Sequence, residues 1–278
     1  MPACDEYRGR IAPSPTGYLH LGHARTFLIA AERAKQFGGK LIFRNEDLDP
    51  DRCRTEFVSA LYEDLRWLGI SWSEGPDCAG AHAPYSQSQR REFYLAAWRQ
   101  LRDAGAIYPC TCSRKDLTAS ASAPNDMDDE AIYPGNCRTR NNALSFEKPA
   151  GVNWRFRVAD EEIKFDDRHF GGQRYVAGRD FGDFVIWRRD DVPAYQLAVV
   201  VDDDAMKISE VVRGADLLKS TARQLLIYRA LGLQVPDFYH CDLVRDETGA
   251  RLAKRHDALS IRKLRQSGRS AQSIFEIP

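Results

Sequence analysis

With 278 residues, the chain is long enough to bury the core of one large α/β domain or of a domain that carries an insertion. Its 40 Lys and Arg residues balance its 40 Asp and Glu residues, so contact with a polyanion must depend on a local basic patch. Residues 245–269 form either such a patch or an ordinary solvated basic face. The sequence has neither an apolar run of about eighteen residues nor the N-terminal pattern of a signal peptide, and we therefore expect a soluble, cytoplasmic protein.

The stretch from Arg10 to His23 predicts a strand, a tight turn and the start of a helix. A short apolar run ends at Ala12, the following Pro-Ser-Pro-Thr-Gly cannot continue it, and amphipathic spacing runs from Leu21 to about Phe37. The start of a helix has unpaired N–H groups that favour a phosphate, and Gly17 and Gly22 remove side chains that would hold a nucleotide away. The segment therefore predicts a nucleotide site.

The same segment resembles a known family. A His-x-x-His pair alone is more often a surface or core pair, but here His20-Leu21-Gly22-His23 resembles the HIGH signature of class I aminoacyl-tRNA synthetases, and the residues before it are similar to the glutamate-specific branch. The resemblance implies an α/β fold with a Rossmann-like parallel sheet and helices on both faces. It implies catalytic roles for His20 and His23, and it places ATP at Gly17, His20, Gly22 and His23. Glutamate would contact Arg10, Ile11, Ala12, Pro13 and Ser14.

Three acidic residues follow the second predicted strand, which runs from Lys40 to Asn45. Glu46, Asp47 and Asp49 would lie at the carboxyl edge of the sheet, where open α/β folds bind ligands, and they predict either a site for a cation or hydroxyls or a loop of solvated acids. The segment resembles the Arg-Ile-Glu-Asp-Leu-Asp of glutamyl synthetases. This resemblance implies that Glu46 holds the ammonium group of the amino acid.

Two amphipathic segments predict helices that serve as scaffold. The second of them should run from about Gln89 to Ala104. Its buried side is predicted to consist of Phe93, Tyr94, Ala97, Trp98 and Leu101. The first contains Phe57, Leu61, Leu65 and Leu68 and is closed by Gly69.

Three of the seven cysteines are candidate zinc ligands. Cys110 and Cys112 are spaced C-x-C, and Cys137 follows a low-complexity segment near residues 118–131. Zinc prefers four tetrahedral ligands, so three thiolates leave one position open; buried cysteines without metal are the alternative. Resemblance to the glutamyl-queuosine branch of the synthetases implies that the oxygen of Tyr133 completes a structural site for one Zn²⁺.

The second half of the chain predicts the return of the nucleotide fold. Alternating runs between Val152 and Val176 predict strands of a small, mainly antiparallel lobe, and residues 193–203 predict a buried element of the returning fold. A strand over Ile208–Val212 would end at Arg213, whose guanidinium can present a fork to a carboxylate. Glutamate has two carboxylates and the chain offers Arg10 and Arg213, without indicating which arginine faces which. The resemblance places Tyr195 against the bound glutamate.

A basic loop, residues 251–255, follows the last predicted strand, Phe238 to Leu243. Such a loop can neutralise a triphosphate as it is attacked, or it can be a plain surface loop. It resembles the KMSKS signature, with Ala253 in place of the serine. The resemblance implies that Arg251 and Lys254 bind ATP, that Lys254 is catalytic and that Mg²⁺ accompanies the nucleotide.

The resemblance extends from about Arg10 to Arg265 and is closest to the shortened branch, the glutamyl-queuosine tRNA(Asp) synthetases. It implies four parts. These are the first half of the catalytic fold (1–105), an inserted zinc-containing α+β lobe that binds the acceptor (106–180), the second half of the catalytic fold (181–245), and the KMSKS-like loop with a C-terminal tail (246–278). No anticodon-binding domain is expected.

The implied reaction has two steps. L-glutamate is activated with ATP to glutamyl-adenylate, and glutamate is then transferred to the cyclopentenediol of queuosine at the wobble position of tRNA(Asp). The implied partners are glutamate, ATP and the anticodon loop that carries queuosine, and we expect a monomer. Three alternatives stay open: a truncated glutamyl-tRNA synthetase that charges a terminal adenosine, another HIGH-type nucleotidyltransferase, and a non-catalytic RNA-binding module derived from a synthetase.

Overall fold

The computed structural model describes residues 6–112, 132–139, 142–244 and 260–272. Within these ranges the strands are β1 Arg8–Ile11, β2 Lys40–Phe43, β3 Ile107–Cys110, β4 Asn153–Phe156, β5 Glu162–Asp167, β6 Gly171–Val176, β7 Val185–Trp187, β8 Glu210–Gly214 and β9 Asp237–Cys241. The helices are α1 Leu21–Gln36, α2 Thr55–Trp67, α3 Arg91–Asp103, α4 Tyr195–Ala205, α5 Leu218–Leu231 and α6 Ile261–Gln266.

The main sheet has six strands in the order β2-β1-β8-β9-β5-β6. Neighbours from β2 to β5 pair in parallel, and only β6 is antiparallel to its neighbour. Parallel neighbours need crossover connections, which α1 provides between β1 and β2 and α5 between β8 and β9. The predicted α/β class with a largely parallel sheet is therefore confirmed.

Helices cover both faces of this sheet. On β2, Ile42 packs in one core cluster with residues of α3, α4 and α5, whereas Leu41 and Phe43 pack in a second cluster with residues of α1, α2 and α6. Val211 and Val212 of β8 divide between the two clusters in the same way. Because successive side chains of a strand point to opposite faces, the two clusters lie on opposite sides of the sheet.

The predicted antiparallel strands of the middle of the chain divide between two sheets. β3, β4 and β7 form a separate three-stranded antiparallel sheet. β5 and β6 form an antiparallel hairpin, as expected, but β5 pairs with β9, so the hairpin extends the main sheet and is not part of a separate lobe. The pattern of alternation predicted the strands correctly and could not indicate which sheet they join.

The scaffold helices occupy their predicted places, with one error on the predicted buried side. Phe93 of α3 is 42% exposed, although Trp98 of the same helix is fully buried and packs edge-to-face on Trp154 of β4, with ring centroids 4.9 Å apart. Phe93 lies beyond the edge of the buried stripe, where the guanidinium carbon of Arg90 sits 4.3 Å from its ring centroid. No helix among the described residues is both long and apolar enough to cross a membrane.

Asp64 is a buried carboxylate where α2 meets α6. It is 0% exposed, and neither of its carboxylate oxygens makes a hydrogen bond within the described part of the chain. Nη1 of Arg265 in α6 lies 3.5 Å from Oδ1. Burial raises the pKa of Asp64 to about 6, and the cation of Arg265 opposes that rise.

We expect Asp64→Asn to stabilise the protein at neutral pH. The unfolded carboxyl titrates near 3.8 and the folded one near 6, so the folded state binds the proton more tightly and loses stability as pH rises through this window. Each pKa unit is worth about 1.4 kcal/mol, and since an Asn amide is also buried, we expect a gain of roughly 1–2 kcal/mol above pH 6.5. Urea unfolding at pH 4.5 and 7.5 measures it.

Glu63→Gln is the matched control, because the exposed Glu63 accepts a 2.8 Å hydrogen bond from the same Arg265. A solvated pair contributes little, so this variant should change stability by less than about 0.5 kcal/mol at either pH. If Asp64→Asn differed from wild type by the same free energy of unfolding at both pH values, the destabilisation could not be assigned to the buried charge.

Candidate active site

A cavity of about 700 Å³ opens where the carboxyl ends of β1, β8 and β9 meet the start of α1. In open α/β sheets this edge is where ligands bind. Eleven of the residues singled out in the sequence line it: Arg10, Ala12, Pro13, Ser14, Gly17, His20, Gly22, His23, Glu46, Tyr195 and Arg213. The structure thus brings together segments that are distant in the chain, in the arrangement that the motifs imply.

Three predicted residues are not among those lining the cavity. The side chain of Ile11 is fully buried in the core that α1 covers, and its backbone oxygen accepts a 3.0 Å hydrogen bond from the Arg44 N–H. The side chain of Ile11 therefore does not border the cavity. Arg251 and Lys254 lie outside the described residues. Val244 lines the cavity, and Ser260 pairs with His20 in an isolated β-bridge, so the chain reaches the cavity on both sides of the basic loop.

The N-terminus of α1 forms the nucleotide side of the cavity. His20 is the N-cap residue, its side chain makes no capping hydrogen bond, and the first turn contains no acidic residue. The rings of His20 and His23 are 6.4 Å apart. A Cβ added to Gly17 would meet no atom within 4 Å, so this glycine borders open space. The first N–H groups of a helix have no partner within it, so these groups, a partial positive charge and two imidazoles border a volume that can hold phosphates.

Two buried arginines and a buried glutamate also line the cavity. Arg10, Arg213 and Glu46 are 4%, 5% and 8% exposed. Nη1 of Arg10 donates to the Val212 carbonyl at 2.7 Å, and Nη1 of Arg213 donates to Tyr195 Oη at 3.4 Å. Two cations and one anion at a cavity wall match an amino acid with two carboxylates and one ammonium.

A buried ion network, missed in the sequence, holds Glu46 and Arg10. Arg44 donates to Asp203 Oδ1 at 2.6 Å and to Glu46 Oε1 at 3.1 Å. Asp203 Oδ1 also lies 3.5 Å from Arg10 Nε. Burial raises the pKa of Glu46, and the cations of Arg44 and Arg10 oppose that rise. Arg44 stands two residues before Glu46 and therefore lies on the same face of an extended segment. This spacing could have predicted the contact between them from the sequence.

The neighbouring Asp202 fixes the rotation of α4. It accepts hydrogen bonds from Arg90 Nε at 2.6 Å and from Gln87 Nε2 at 2.7 Å, and Tyr94 Oη lies 3.0 Å away. These partners come from α3 and the turn before it. Because α4 is tied at Asp202, Asp203 is presented to Arg44 and Arg10 in a single orientation.

The four candidate zinc ligands lie together. The Sγ atoms of Cys110 and Cys112 are each 3.4 Å from Tyr133 Oη, and those of Cys112 and Cys137 are 3.5 Å apart. All three sulfurs lie within 4.8 Å of one another. Ligands of a tetrahedral Zn²⁺ with bonds of about 2.3 Å are separated by about 3.7 Å. The donor set therefore fits one zinc ion held by three thiolates and the Tyr133 oxygen.

A parallel sheet with HIGH-like histidines at the start of the first helix defines an ATP-dependent enzyme of the synthetase type, and comparison with known families agrees. Residues 6–277 match the model of tRNA synthetases class I (E and Q), catalytic domain. The chain therefore belongs to the class I aminoacyl-tRNA synthetases of the E and Q group.

Within this family the chain is similar to enzymes of two kinds. It is 50% identical over 270 residues to a Glutamyl-Q tRNA(Asp) synthetase of Nitratidesulfovibrio vulgaris, covering 96% of this chain and 83% of the relative. It is 39% identical to a glutamate–tRNA ligase of Sulfurihydrogenibium sp., covering 96% of this chain and 56% of that protein.

A solved structure shows the same fold. The crystal structure of a glutamate–tRNA synthetase from Elizabethkingia anophelis matches with a TM-score of 0.80 and 31% identity, over 90% of this chain and 53% of that one. The chain thus spans about half the length of the synthetase that it matches in structure, and a larger share of the relative named Glutamyl-Q tRNA(Asp) synthetase.

Proposed function

We infer that the chain activates L-glutamate with ATP and transfers it to the cyclopentenediol of queuosine at the wobble position of tRNA(Asp), acting in the cytoplasm, where ATP and tRNA are available. The observation that carries this function is the group Arg10, Arg213 and Glu46, which lines the same cavity as the start of α1. The 50% identity to a relative named for the queuosine reaction supports the acceptor.

In the first step an oxygen of the glutamate α-carboxylate attacks the α-phosphorus of ATP, and pyrophosphate leaves. Arg10 and Arg213 would hold the two carboxylates and Glu46 the ammonium, which aligns the nucleophile. His20, His23, the α1 N-terminus and Lys254 would stabilise charge that develops on the phosphates. Mg²⁺ that enters with ATP would neutralise part of the phosphate charge.

In the second step a hydroxyl of the queuosine ring attacks the carbonyl carbon of the mixed anhydride, and AMP leaves. No protein nucleophile is needed, because the anhydride is already reactive and the site contributes mainly positioning. A cavity open at the edge of the sheet can admit a base splayed out of an anticodon loop. Cys110, Cys112, Tyr133 and Cys137 would hold one structural Zn²⁺ at the end of β3, beside the separate three-stranded sheet, and fix the surface that approaches the RNA.

Exchange of pyrophosphate into ATP tests the first step. We expect exchange with glutamate alone among the twenty amino acids, both with and without tRNA. Labelled glutamate is then offered to queuosine-containing and unmodified tRNA(Asp), and the labelled nucleotide is located after ribonuclease digestion. Label on the anticodon loop of the modified RNA alone is the expected result. Label on the terminal adenosine would identify a truncated glutamyl-tRNA synthetase, and absence of any exchange would favour a non-catalytic module.

A further inference from the structure

A chain of buried hydrogen bonds lies behind Arg213, away from the cavity. Nε of Arg213 donates to Nε2 of His240 at 3.1 Å, and Nδ1 of His240 lies 2.6 Å from Oδ2 of Asp167. His240 is 0% and Asp167 4% exposed. These residues come from the ends of β8, β9 and β5, so the chain crosses three neighbouring strands of the main sheet.

The partners of His240 determine where its proton lies. The guanidinium of Arg213 can only donate, so Nε2 must accept, and the imidazole proton is therefore on Nδ1, where Asp167 accepts it. Asp167 is itself held by the backbone N–H groups of His169 and Phe170, at 3.0 and 2.9 Å. A carboxylate held in this way keeps the imidazole in one tautomer and one orientation.

The charges around His240 favour its neutral form. Arg213 faces it from β8 and Arg10 contributes a second cation from β1, whereas Asp167 faces it from β5 and the neutral Thr221 from α5. Burial and the cation of Arg213 together lower the pKa of His240 to about 4, and Asp167 opposes the change. The imidazole is therefore neutral at physiological pH and can accept from Arg213.

This arrangement leaves Arg213 one orientation. Its Nε is engaged by His240, its Nη2 donates to Thr221 Oγ1 at 2.6 Å, and its Nη1 points to Tyr195 Oη at the cavity. The guanidinium is planar, so two fixed nitrogens determine the direction of the third. An arginine held this way loses little conformational entropy when it binds a carboxylate.

We propose that His240 and Asp167 are positioning residues that orient Arg213 for a carboxylate of the substrate. The proposal rests on the proposed function and extends it to two residues that do not touch the substrate. They act through the acceptor atom Nε2, so the position of that atom, and not the bulk of the side chain, should matter.

A matched pair of variants separates the contribution of the acceptor position from that of side-chain bulk. In His240→Asn the amide can replace Nδ1–H toward Asp167 but no atom reaches Arg213, whereas in His240→Gln the carbonyl oxygen can reach the place of Nε2. In glutamate-dependent pyrophosphate exchange we expect His240→Asn to raise KM for glutamate about tenfold or more and to leave KM for ATP within about twofold. His240→Gln should recover most of the loss.

Asp167→Asn tests the same idea with the imidazole in place. The Asn amide can donate to Nδ1, which allows the imidazole tautomer that carries its proton on Nε2. That proton would point at the N–H of Arg213 and remove the acceptor, so KM for glutamate should rise as in His240→Asn. This variant carries the test if His240→Asn does not fold. His82→Asn, a histidine outside the cavity lining, is the control and should leave both KM values unchanged.

Two outcomes would overturn the proposal. Equal KM values for glutamate in wild type, His240→Asn and Asp167→Asn would show that Arg213 needs no support. A parallel rise of both KM values, without recovery in His240→Gln, would show a general structural defect. Wild-type protein without any glutamate-dependent exchange would instead contradict the proposed function, so the two failures are distinguishable.

Discussion

Replacing Glu46 with Gln is expected to lower kcat/KM for glutamate in pyrophosphate exchange by about a hundredfold, since a buried charge that meets the substrate ammonium is removed. Glu46 is 8% exposed and lies in the cavity lining beside Arg44, so little water is present to replace it. KM for ATP should change little, because the nucleotide side of the cavity is formed by a different segment.

Asp47→Asn is the matched control, because it makes the same change of charge one residue further along. Asp47 accepts hydrogen bonds from Ser88 N and Oγ, at 2.9 and 2.8 Å, and is not among the residues that line the cavity. We expect activity within about threefold of wild type, as for a surface substitution. Equal losses in Glu46→Gln and Asp47→Asn would contradict the assignment of the ammonium to Glu46.

Glutarate provides a second measurement for Glu46. It carries both carboxylates of glutamate and lacks the ammonium, so its inhibition constant should be similar in wild type and Glu46→Gln. Glutamate affinity should fall in the same variant, and the ratio of the two constants then reports the ammonium contact alone. A proportional loss of glutarate binding would indicate that the substitution disturbs Arg10 through the ion network.

Removing a zinc ligand is expected to lower both the zinc content and the thermal stability of the protein strongly. Protein purified without added metal should contain about one zinc per chain, and Cys110→Ala and Cys137→Ala should lose it. Metal that binds only the folded state stabilises it, so we expect these variants to unfold roughly 10 °C lower, which corresponds to a loss of about 3 kcal/mol for a chain of this size. Elemental analysis and thermal unfolding measure both quantities.

Tyr133→Phe tests the oxygen ligand separately. It keeps the ring, over which the guanidinium carbon of Arg155 sits 3.9 Å from the centroid, and removes only the hydroxyl. We expect zinc to be retained after purification but lost to a chelator faster than from wild type. Cys78→Ala, a change at an exposed cysteine, should retain zinc like wild type. Full zinc occupancy in Cys110→Ala and Cys137→Ala would contradict the site.

Local sequence patterns predicted those parts of the site whose residues are close in the chain, whereas Glu46 and Tyr195 were assigned to it through the family resemblance. The segment from Arg10 to His23 combines a strand end, a turn and a helix start, and local backbone rules determine where its groups point. Within the cysteine cluster, Cys110 and Cys112 are two positions apart and Tyr133 and Cys137 are four positions apart, so each pair is local. Spacing indicates each of these local pairs, whereas the contact between the two pairs and the role of Tyr133 as a ligand were implied by the family resemblance.

The residues that hold the site were missed because their partners are distant in sequence. Arg44 and Asp203 are 159 positions apart, and His240 and Asp167 are 73 apart. Nothing local distinguishes His240 from a core histidine, and the spacing of Arg44 from Glu46 does not indicate its partner Asp203. The pairing of β5 with β9 was missed for the same reason, because a strand pattern predicts which residues alternate and not which neighbour the strand selects.

The shared carboxylate of Asp203 restricts how this enzyme could be redesigned for another amino acid. A neutral substrate would favour exchanging one arginine, but Asp203 lies between Arg10 and Arg44, so losing either cation leaves a buried anion poorly compensated. Directed evolution toward a new amino acid should therefore proceed through coupled substitutions on β1, after β2 and on α4. Libraries that vary one segment at a time would contain few stable members with altered selectivity.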